Sequence, residues 1–267
     1  AHDEAYGGAD NDTFVIDGAG TGIIDGGTGN DRILVTSFSD ISGYTISNVE
    51  AIELDAVAEL YLTPEQAASI PITENETIIS SEVWLKLPET GSFTLNESIY
   101  ALSNKVIGSS QGDRITGTSS EDVLAGAGGL DVINALGGDD TIVISNDDWD
   151  QTDRSRIIYK DDFNNYVYAD RLLELDEIDG GAGTDTLEFR YENVNDRDIQ
   201  TLYLDSSIQN IEKFEVTGLT NSYPSLRQII FDAEVWRNLD YISVHTPQED
   251  QPASYPNLFI VGDGGSV

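Results

Sequence analysis

The stretch Gly108-Ser-Ser-Gln-Gly-Asp113-Arg-Ile115-Thr-Gly117-Thr-Ser-Ser-Glu-Asp122-Val-Leu124-Ala-Gly126-Ala-Gly-Gly-Leu-Asp131-Val-Ile133-Asn-Ala135-Leu-Gly-Gly-Asp-Asp140-Thr-Ile142-Val143 repeats every nine residues. Asp113, Asp122, Asp131 and Asp140 keep that interval, and two residues after each stands Ile115, Leu124, Ile133 or Ile142. Glycines and small residues precede most of these aspartates. They permit positive φ, so six residues can make a tight turn. The next three form a very short strand with its aliphatic pointing inward. Turn and strand together make half a coil, so two repeats complete one flattened turn. Aspartates two repeats apart then stack on one edge, Asp113 with Asp131 and Asp122 with Asp140.

Carboxylates one strand spacing apart (roughly 4.7–4.9 Å) repel unless a cation lies between them. Calcium is the natural choice, because it accepts about 6–8 oxygen ligands in flexible geometry and glycine-rich turns expose carbonyls beside the carboxylates. Magnesium demands strict octahedral geometry and holds its waters. An acidic, glycine-rich linker could share this composition. A linker has no reason to keep an aliphatic at a fixed offset from an aspartate four times over.

The rest of the composition agrees with a cation-dependent fold. The 267 residues carry 49 acidic against 13 basic side chains, a formal charge of −36. Such a chain repels itself unless divalent ions neutralise it, which links folding to metal. The charge excludes a nucleic-acid binder, which needs a basic footprint. It also disfavours direct contact with an anionic membrane, and no long apolar run suggests insertion. There is no cysteine, hence no disulfide and no thiolate site. The chain opens in mid-repeat, without methionine, and ends Gly262-Asp-Gly-Gly-Ser-Val267, like the start of another repeat. It is therefore expected to be a piece of a longer protein.

Taken in order, Asp3 and Asp12 are nine apart, and Gly7-Gly-Ala-Asp-Asn-Asp12-Thr-Phe14 is a near-complete repeat. Gly18 to Gly22 reads as a degenerate turn. Asp25-Gly-Gly-Thr-Gly-Asn-Asp31-Arg-Ile33 follows, nineteen residues after Asp12, one more than two repeats, so a bulge is expected between them. Residues 36–107 leave the period and alternate as short strands: Tyr44–Ile46, Ala51–Leu54, Leu60–Leu62 and Val83–Leu87. Thr63-Pro64-Glu65-Gln66 predicts a short helix, capped by threonine, running to about Ile70 before Pro71. After Ile144 comes an acidic, aromatic excursion with Trp149, Tyr159, Tyr166 and Tyr168. Asp176 precedes Asp185 by nine, and Gly180-Gly-Ala-Gly-Thr-Asp185-Thr-Leu187 is another full repeat. The sequence then echoes itself: Asn48-Val-Glu-Ala-Ile-Glu-Leu54 matches Asn210-Ile-Glu-Lys-Phe-Glu-Val216. Leu60–Thr63 with Glu65 and Ile70 matches Ile229–Asp232 with Glu234 and Leu239. This predicts two copies of a larger unit of calcium turn, strands and short helix, whose stacking would bury a shared core. The expected divisions are 1–107, a central roll 108–145, an insertion 146–175, and 176–267 running into a truncated repeat.

The nine-residue pattern resembles the RTX nonapeptide Gly-Gly-x-Gly-x-Asp-x-aliphatic-x, a calcium-binding parallel β-helix repeat. The resemblance covers Asp3–Leu34, Gly108–Val143 and Asp176–Glu188, less than half of the chain. It implies several calcium ions bound by Asp3, Asp12, Asp31, Asp113, Asp122, Asp131, Asp140, Asp176 and Asp185. It further implies ligation by turn residues five and three before an aspartate. These are Gly7 and Ala9, Gly26 and Thr28, Gly108 and Ser110, Gly117 and Ser119, Gly126 and Gly128, Gly137 alone, and Gly180 with Ala182. Gln111 and Ser120 replace the fourth-position glycine, so the Asp113 and Asp122 turns are the weakest expected sites. Related regions occur in secreted proteases, lipases, polysaccharide epimerases, toxins and large adhesins. They are exported by type I systems and fold on calcium outside the cell.

Catalytic motifs are sparse. There is no His-Glu-x-x-His helix, no Gly-x-Ser-x-Gly elbow and no phosphate-binding loop. His245, with Tyr241 and Arg237 nearby, could serve a polysaccharide lyase or epimerase, but reads more simply as a surface histidine. Trp149, Tyr159, Tyr166 and Tyr168 beside many carboxylates could form a calcium-assisted face for a glycan or peptide. They could equally cap and pack the insertion. The sequence thus predicts an all-β, right-handed parallel β-solenoid with calcium-binding turns and short helices. Its expected role is a structural and binding module of a large secreted or cell-surface protein, an adhesin before a polysaccharide-modifying enzyme.

Overall fold

A computed structural model describes residues 2–54, 58–74, 82–88, 91–95, 103–145, 156–160, 166–170, 177–190, 201–204, 206–217, 228–231, 233–244 and 259–262. The fold is a right-handed parallel β-solenoid with almost no helix. It comprises two compact units, residues 1–88 with 95–107, and residues 89–94 with 108–267.

In the first unit the strands His2–Ala9, Thr13–Thr28 and Arg32–Ser47 pair side by side in parallel. The sheet then forks. Arg32–Ser47 pairs with Ala51–Leu54 near its start, through Ile33 beside Ile52. Further along it pairs with Glu59–Leu62, through Phe38 beside Glu59. The first branch continues to Ile72–Glu74, the second to Glu82–Lys86 and Lys105–Ile107. Alternation of apolar and polar residues gives Arg32–Ser47, Ala51–Leu54 and Glu59–Leu62 one buried face. Ile33, Val35, Ile41, Ile52, Leu60, Leu62 and Leu85 are all fully buried.

Gly18–Gly22 is not a turn. It lies inside the 16-residue strand Thr13–Thr28. The surplus residue lengthens the whole coil, because His2–Ala9 with Thr21–Thr28 and Thr13–Ile16 with Arg32–Val35 both keep an offset of nineteen; register shifts between Ile16 and Gly18 and between Ala19 and Thr21 then add three residues on Arg32–Ser47. Gly22, at φ 151°, packs directly on the Asp3 backbone, where a Cβ would clash. Tyr44–Ile46 likewise belongs to a longer strand, Arg32–Ser47. The short helix forms at Pro64–Ser69. Thr63 Oγ1 accepts the Gln66 N–H at 3.2 Å, and Gln66 Oε1 accepts the Thr63 N–H at 2.8 Å.

In the second unit successive repeats alternate between two sheets. Gly91–Thr94, Asp113–Thr116, Val132–Asn134, Glu177–Asp179 and Ile208–Gln209 form one. Val123–Ala125, Thr141–Ser145, Thr186–Arg190, Lys213–Thr217 and Tyr241–Val244 form the other. Each nonapeptide therefore supplies half a coil. The inward apolar side chains stack in two files: Ile115, Ile133, Ile178 and Ile208 in one, Leu124, Ile142, Leu187 and Phe214 in the other. None of these eight is more than 3% exposed. Truncating one to alanine should cost about 2–5 kcal/mol. Thr201–Leu204, Gln228–Phe231 and Phe259–Gly262 form a further parallel sheet, and a helix spans Ala233–Asn238. The one antiparallel pairing among the described residues is the hairpin Arg156–Lys160 with Tyr166–Asp170.

Candidate metal centre

The short strands bring the repeat aspartates into files along the coil edges. Each backbone N–H in a file donates to the carboxylate of the next coil. Asp12 N–H reaches Asp31 Oδ1 at 2.7 Å in the first unit. In the second unit Asp113 N–H reaches Asp131 Oδ1 at 2.7 Å. On the opposite edge Asp122 N–H reaches Asp140 Oδ1 at 2.8 Å, and Asp140 N–H reaches Asp185 Oδ1 at 2.9 Å. The stacking of Asp12 on Asp31 holds at the nineteen-residue offset because the flanking strands pair at that same offset, His2–Ala9 with Thr21–Thr28 and Thr13–Ile16 with Arg32–Val35. These carboxylates are inside the protein: Asp31, Asp113, Asp122, Asp131, Asp140 and Asp185 are at most 3% exposed.

That burial leaves a deficit. Asp12 Oδ2, Asp31 Oδ2, Asp113 Oδ1, Asp122 Oδ1, Asp140 Oδ2 and Asp185 Oδ2 are shut off from water and accept no hydrogen bond among the described residues. A buried carboxylate oxygen without a donor costs roughly 1–3 kcal/mol or more. Among the described residues the ion-paired cations do not answer it: Arg32, Lys86, Lys105 and Arg190 go to Glu53, Asp40, Glu82 and Glu188. Burial pushes the Asp140 carboxyl up to about 7, helped by the Asp185, Asp122 and Asp139 charges. Burial pushes Asp185 up to about 6, with Glu212, Asp139 and Asp179 adding to it. Asp122 is raised by burial as well. These carboxylates resist ionisation as they stand, and a cation among them would reverse that.

The space beside them suits such a cation. A Cβ built on Gly7 would lie 2.5 Å from both Asp12 Oδ2 and the Gly26 carbonyl. A Cβ on Gly117 would lie 2.7 Å from both Asp122 Oδ2 and the Ala135 carbonyl. One on Gly108 would meet the Gly126 carbonyl and lie 2.9 Å from Asp113 Oδ2. The glycine therefore keeps a carboxylate and a neighbouring coil's carbonyl converging on one clear spot. Among the described residues no three His, Cys, Asp or Glu side chains cluster for a metal. The donors are hard oxygens, carboxylates with backbone carbonyls, which fits calcium and not the nitrogen and sulfur preference of zinc. Gly7→Ala is expected to raise the calcium concentration needed for folding, because the methyl fills this spot without straining φ. Calcium titration of the variant by circular dichroism would show it, and an unchanged midpoint would contradict it.

Not every expected ligand enters the files. Asp3 is exposed in its strand and sits opposite Gly22, which has no carboxylate to stack on. Its side chain instead accepts the Tyr44 hydroxyl. Asp176 lies outside the described residues. Ala182 is bridged to Gly137, and its carbonyl accepts the Gly138 N–H at 3.0 Å. Ala135, absent from the expected ligands, places its carbonyl where the repeat's first glycine would. Its offset of five before Asp140 was the available signal.

The Asp113 and Asp122 turns differ at Gln111 and Ser120, where Asp10, Gly29, Gly129, Gly138 and Gly183 have φ between 75° and 155° in the other turns, and also four residues before the aspartate. Gly8, Gly27, Ala127, Leu136 and Gly181 occupy that position with φ between 67° and 96°. Ser109 and Thr118 do not. Their N–H and hydroxyl both donate to the aspartate: Ser109 at 2.7 and 2.9 Å to Asp113 Oδ2, Thr118 at 2.6 and 3.0 Å to Asp122 Oδ2. One oxygen at each of these turns is thus satisfied by the protein. Ala127 and Leu136 hold left-handed backbone that costs a residue with a Cβ, at about 1–3 kcal/mol each. Trp149 and His245 lie outside the described residues. Tyr159, Tyr166 and Tyr168 fall in the antiparallel hairpin, where only the backbone is described.

The RTX calcium-binding nonapeptide repeat is matched in 4 copies, over residues 16–37, 107–142 and 176–189. These segments hold Asp31, Asp113, Asp122, Asp131, Asp140 and Asp185. No curated protein and no solved structure matches the chain. The chain therefore carries RTX repeats, which imply a calcium-binding structural module. Among the described residues no helix is long and apolar enough to cross a membrane.

Proposed function

We propose that this module belongs to a large secreted or cell-surface protein, an adhesin, and that it sets hard only on meeting extracellular calcium. One observation carries the reading: six repeat carboxylates each keep a buried oxygen that no group among the described residues satisfies. A protein synthesised where calcium is scarce would stay unfolded under its own charge and fold after export by a type I route. Sites of this kind bind in the range of about 10⁻⁴–10⁻³ M, which matches calcium outside cells. The binding face of such a module would use a glycan or peptide ligand, with Trp149, Tyr159, Tyr166 and Tyr168 as the aromatic contacts.

Retention of the calcium-loaded protein on a glycan or peptide array tests this. The expected result is binding that chelator abolishes, with the ligand recovered unchanged. Release of unsaturated sugars from an alginate-like polymer would replace the adhesin reading with that of a polysaccharide-modifying enzyme. Absence of both binding and turnover would leave a spacer.

A further inference from the structure

The last pocket of two files is closed by something other than a repeat. Asp31 N–H donates to Glu50 Oε2 at 2.6 Å, and Asp185 N–H donates to Glu212 Oε2 at 2.8 Å. These are the bonds that one repeat aspartate makes to the next. Each glutamate stands two residues before a buried apolar side chain, Ile52 or Phe214, as Asp31 stands before Ile33 and Asp185 before Leu187. The register sets Ile33 beside Ile52 and Leu187 beside Phe214. Glu50 and Glu212 therefore occupy the aspartate's place in the coil.

The residue two before each glutamate completes the likeness. Asn48 and Asn210 both have φ 52°, a left-handed conformation that asparagine tolerates. Asn48 Nδ2 donates to Asp25 Oδ1 at 2.7 Å, and Asn210 Nδ2 donates to Asp179 Oδ1 at 2.6 Å. The same two oxygens accept the Gly27 and Gly181 N–H groups, each at 3.1 Å. This anchoring holds the asparagine carbonyls against Gly26 and Gly180. A Cβ on Gly26 would collide with the Asn48 carbonyl and lie 2.6 Å from Asp31 Oδ2. A Cβ on Gly180 would collide with the Asn210 carbonyl and lie 2.9 Å from Asp185 Oδ2. In the repeats that place belongs to the first glycine's carbonyl, as Gly26 shows against Gly7. Asp31 and Asp185 are 1% and 0% exposed, and their Oδ2 atoms face this spot without a hydrogen-bond partner.

We propose that Asn48-Val-Glu50 and Asn210-Ile-Glu212 are three-residue end pieces that complete a terminal site for a hard divalent cation. Each stands in for a whole glycine-rich turn. The ligands are the asparagine carbonyl, the glutamate carboxylate, and the Asp31 or Asp185 carboxylate. The glutamates lie nearer the surface than the aspartates they replace, so these sites bind more weakly than those between two repeats. The inference rests on the calcium reading of the repeats.

Calcium titration calorimetry on the full chain tests it with Glu50→Gln and Glu212→Gln. Glutamine keeps an oxygen to accept the aspartate N–H but removes the charge. Each variant is expected to lose one weakly bound calcium of the wild-type number, while Glu53→Gln, at an exposed ion pair with Arg32, loses none. An unchanged calcium number and affinity in both variants would show that the glutamates only accept a hydrogen bond, and would overturn the proposal. Should a variant fail to fold, calcium anomalous scattering from wild-type crystals decides. A peak between Asp31 and the Asn48 carbonyl supports the site, and its absence beside occupied repeat sites refutes it. A wild-type chain that binds no calcium at all would instead bring down the reading on which this one rests.

Discussion

Treated with a chelator at neutral pH, the chain should lose most of its β-sheet circular dichroism and recover it when calcium is returned in excess. Two magnitudes lead to this. Six buried carboxylate oxygens without a partner cost roughly 1–3 kcal/mol each. A whole domain has only about 5–15 kcal/mol of net stability to offset that. The formal charge of −36 works in the same direction. Bound calcium both supplies the missing partners and removes two charges per ion, so metal affinity becomes folding free energy. Indistinguishable spectra with chelator and with calcium would end the account of the files as cation sites.

Asp140→Asn should have the largest single-residue effect, with opposite signs in the two conditions. Asp140 stands between Asp122 and Asp185 in the longest file, so it borders two pockets. With calcium present, losing its charge weakens both. Supporting groups around metals already cost about 10–100-fold in affinity, and a ligand should cost at least about tenfold in the calcium midpoint. With calcium removed, the same change takes away a buried charge and should leave the chain more ordered than wild type. Glu65→Gln, on the exposed side of the short helix, should shift neither, since surface changes stay within about 0.5 kcal/mol. A midpoint for Asp140→Asn equal to that of Glu65→Gln would contradict the assignment.

Acid should partly substitute for calcium, for the same reason. The folded values of Asp140 and Asp185, about 7 and about 6, lie above the ordinary carboxylate value of roughly 3.9. Between those limits the metal-free fold binds more protons than the unfolded chain. This contribution to stability is complete below about pH 4 and is lost as the pH rises through 6 and 7. In chelator, β signal should therefore be greater at pH 5 than at pH 8, and Asp140→Asn should flatten the difference.

The parts of this protein that depend on neighbours in sequence were legible in it. The nine-residue interval, the aliphatic two after each aspartate and the glycines before it dictate a turn and a strand, and hence half a coil. The capping box of Thr63 and Gln66 is equally local, and the helix begins and ends where those residues place it. Partners across coils are a different matter, because they depend on how much chain intervenes. Asp3 has the right spacing to Asp12 but faces Gly22, so it stays in solvent. Glu50 and Glu212 enter the files across 19 and 27 residues, with no glycine-rich turn before either to mark them. The contrast between Ser109 or Thr118 and the left-handed residues elsewhere follows from which donors reach a buried oxygen, and burial is set only when the coils stack. The amino-acid sequence by itself determined that acids would line the edges of a solenoid. Only the tertiary structure decided which of their oxygens water and backbone would leave unmet, because desolvation is a property of the packed coil and not of the repeat.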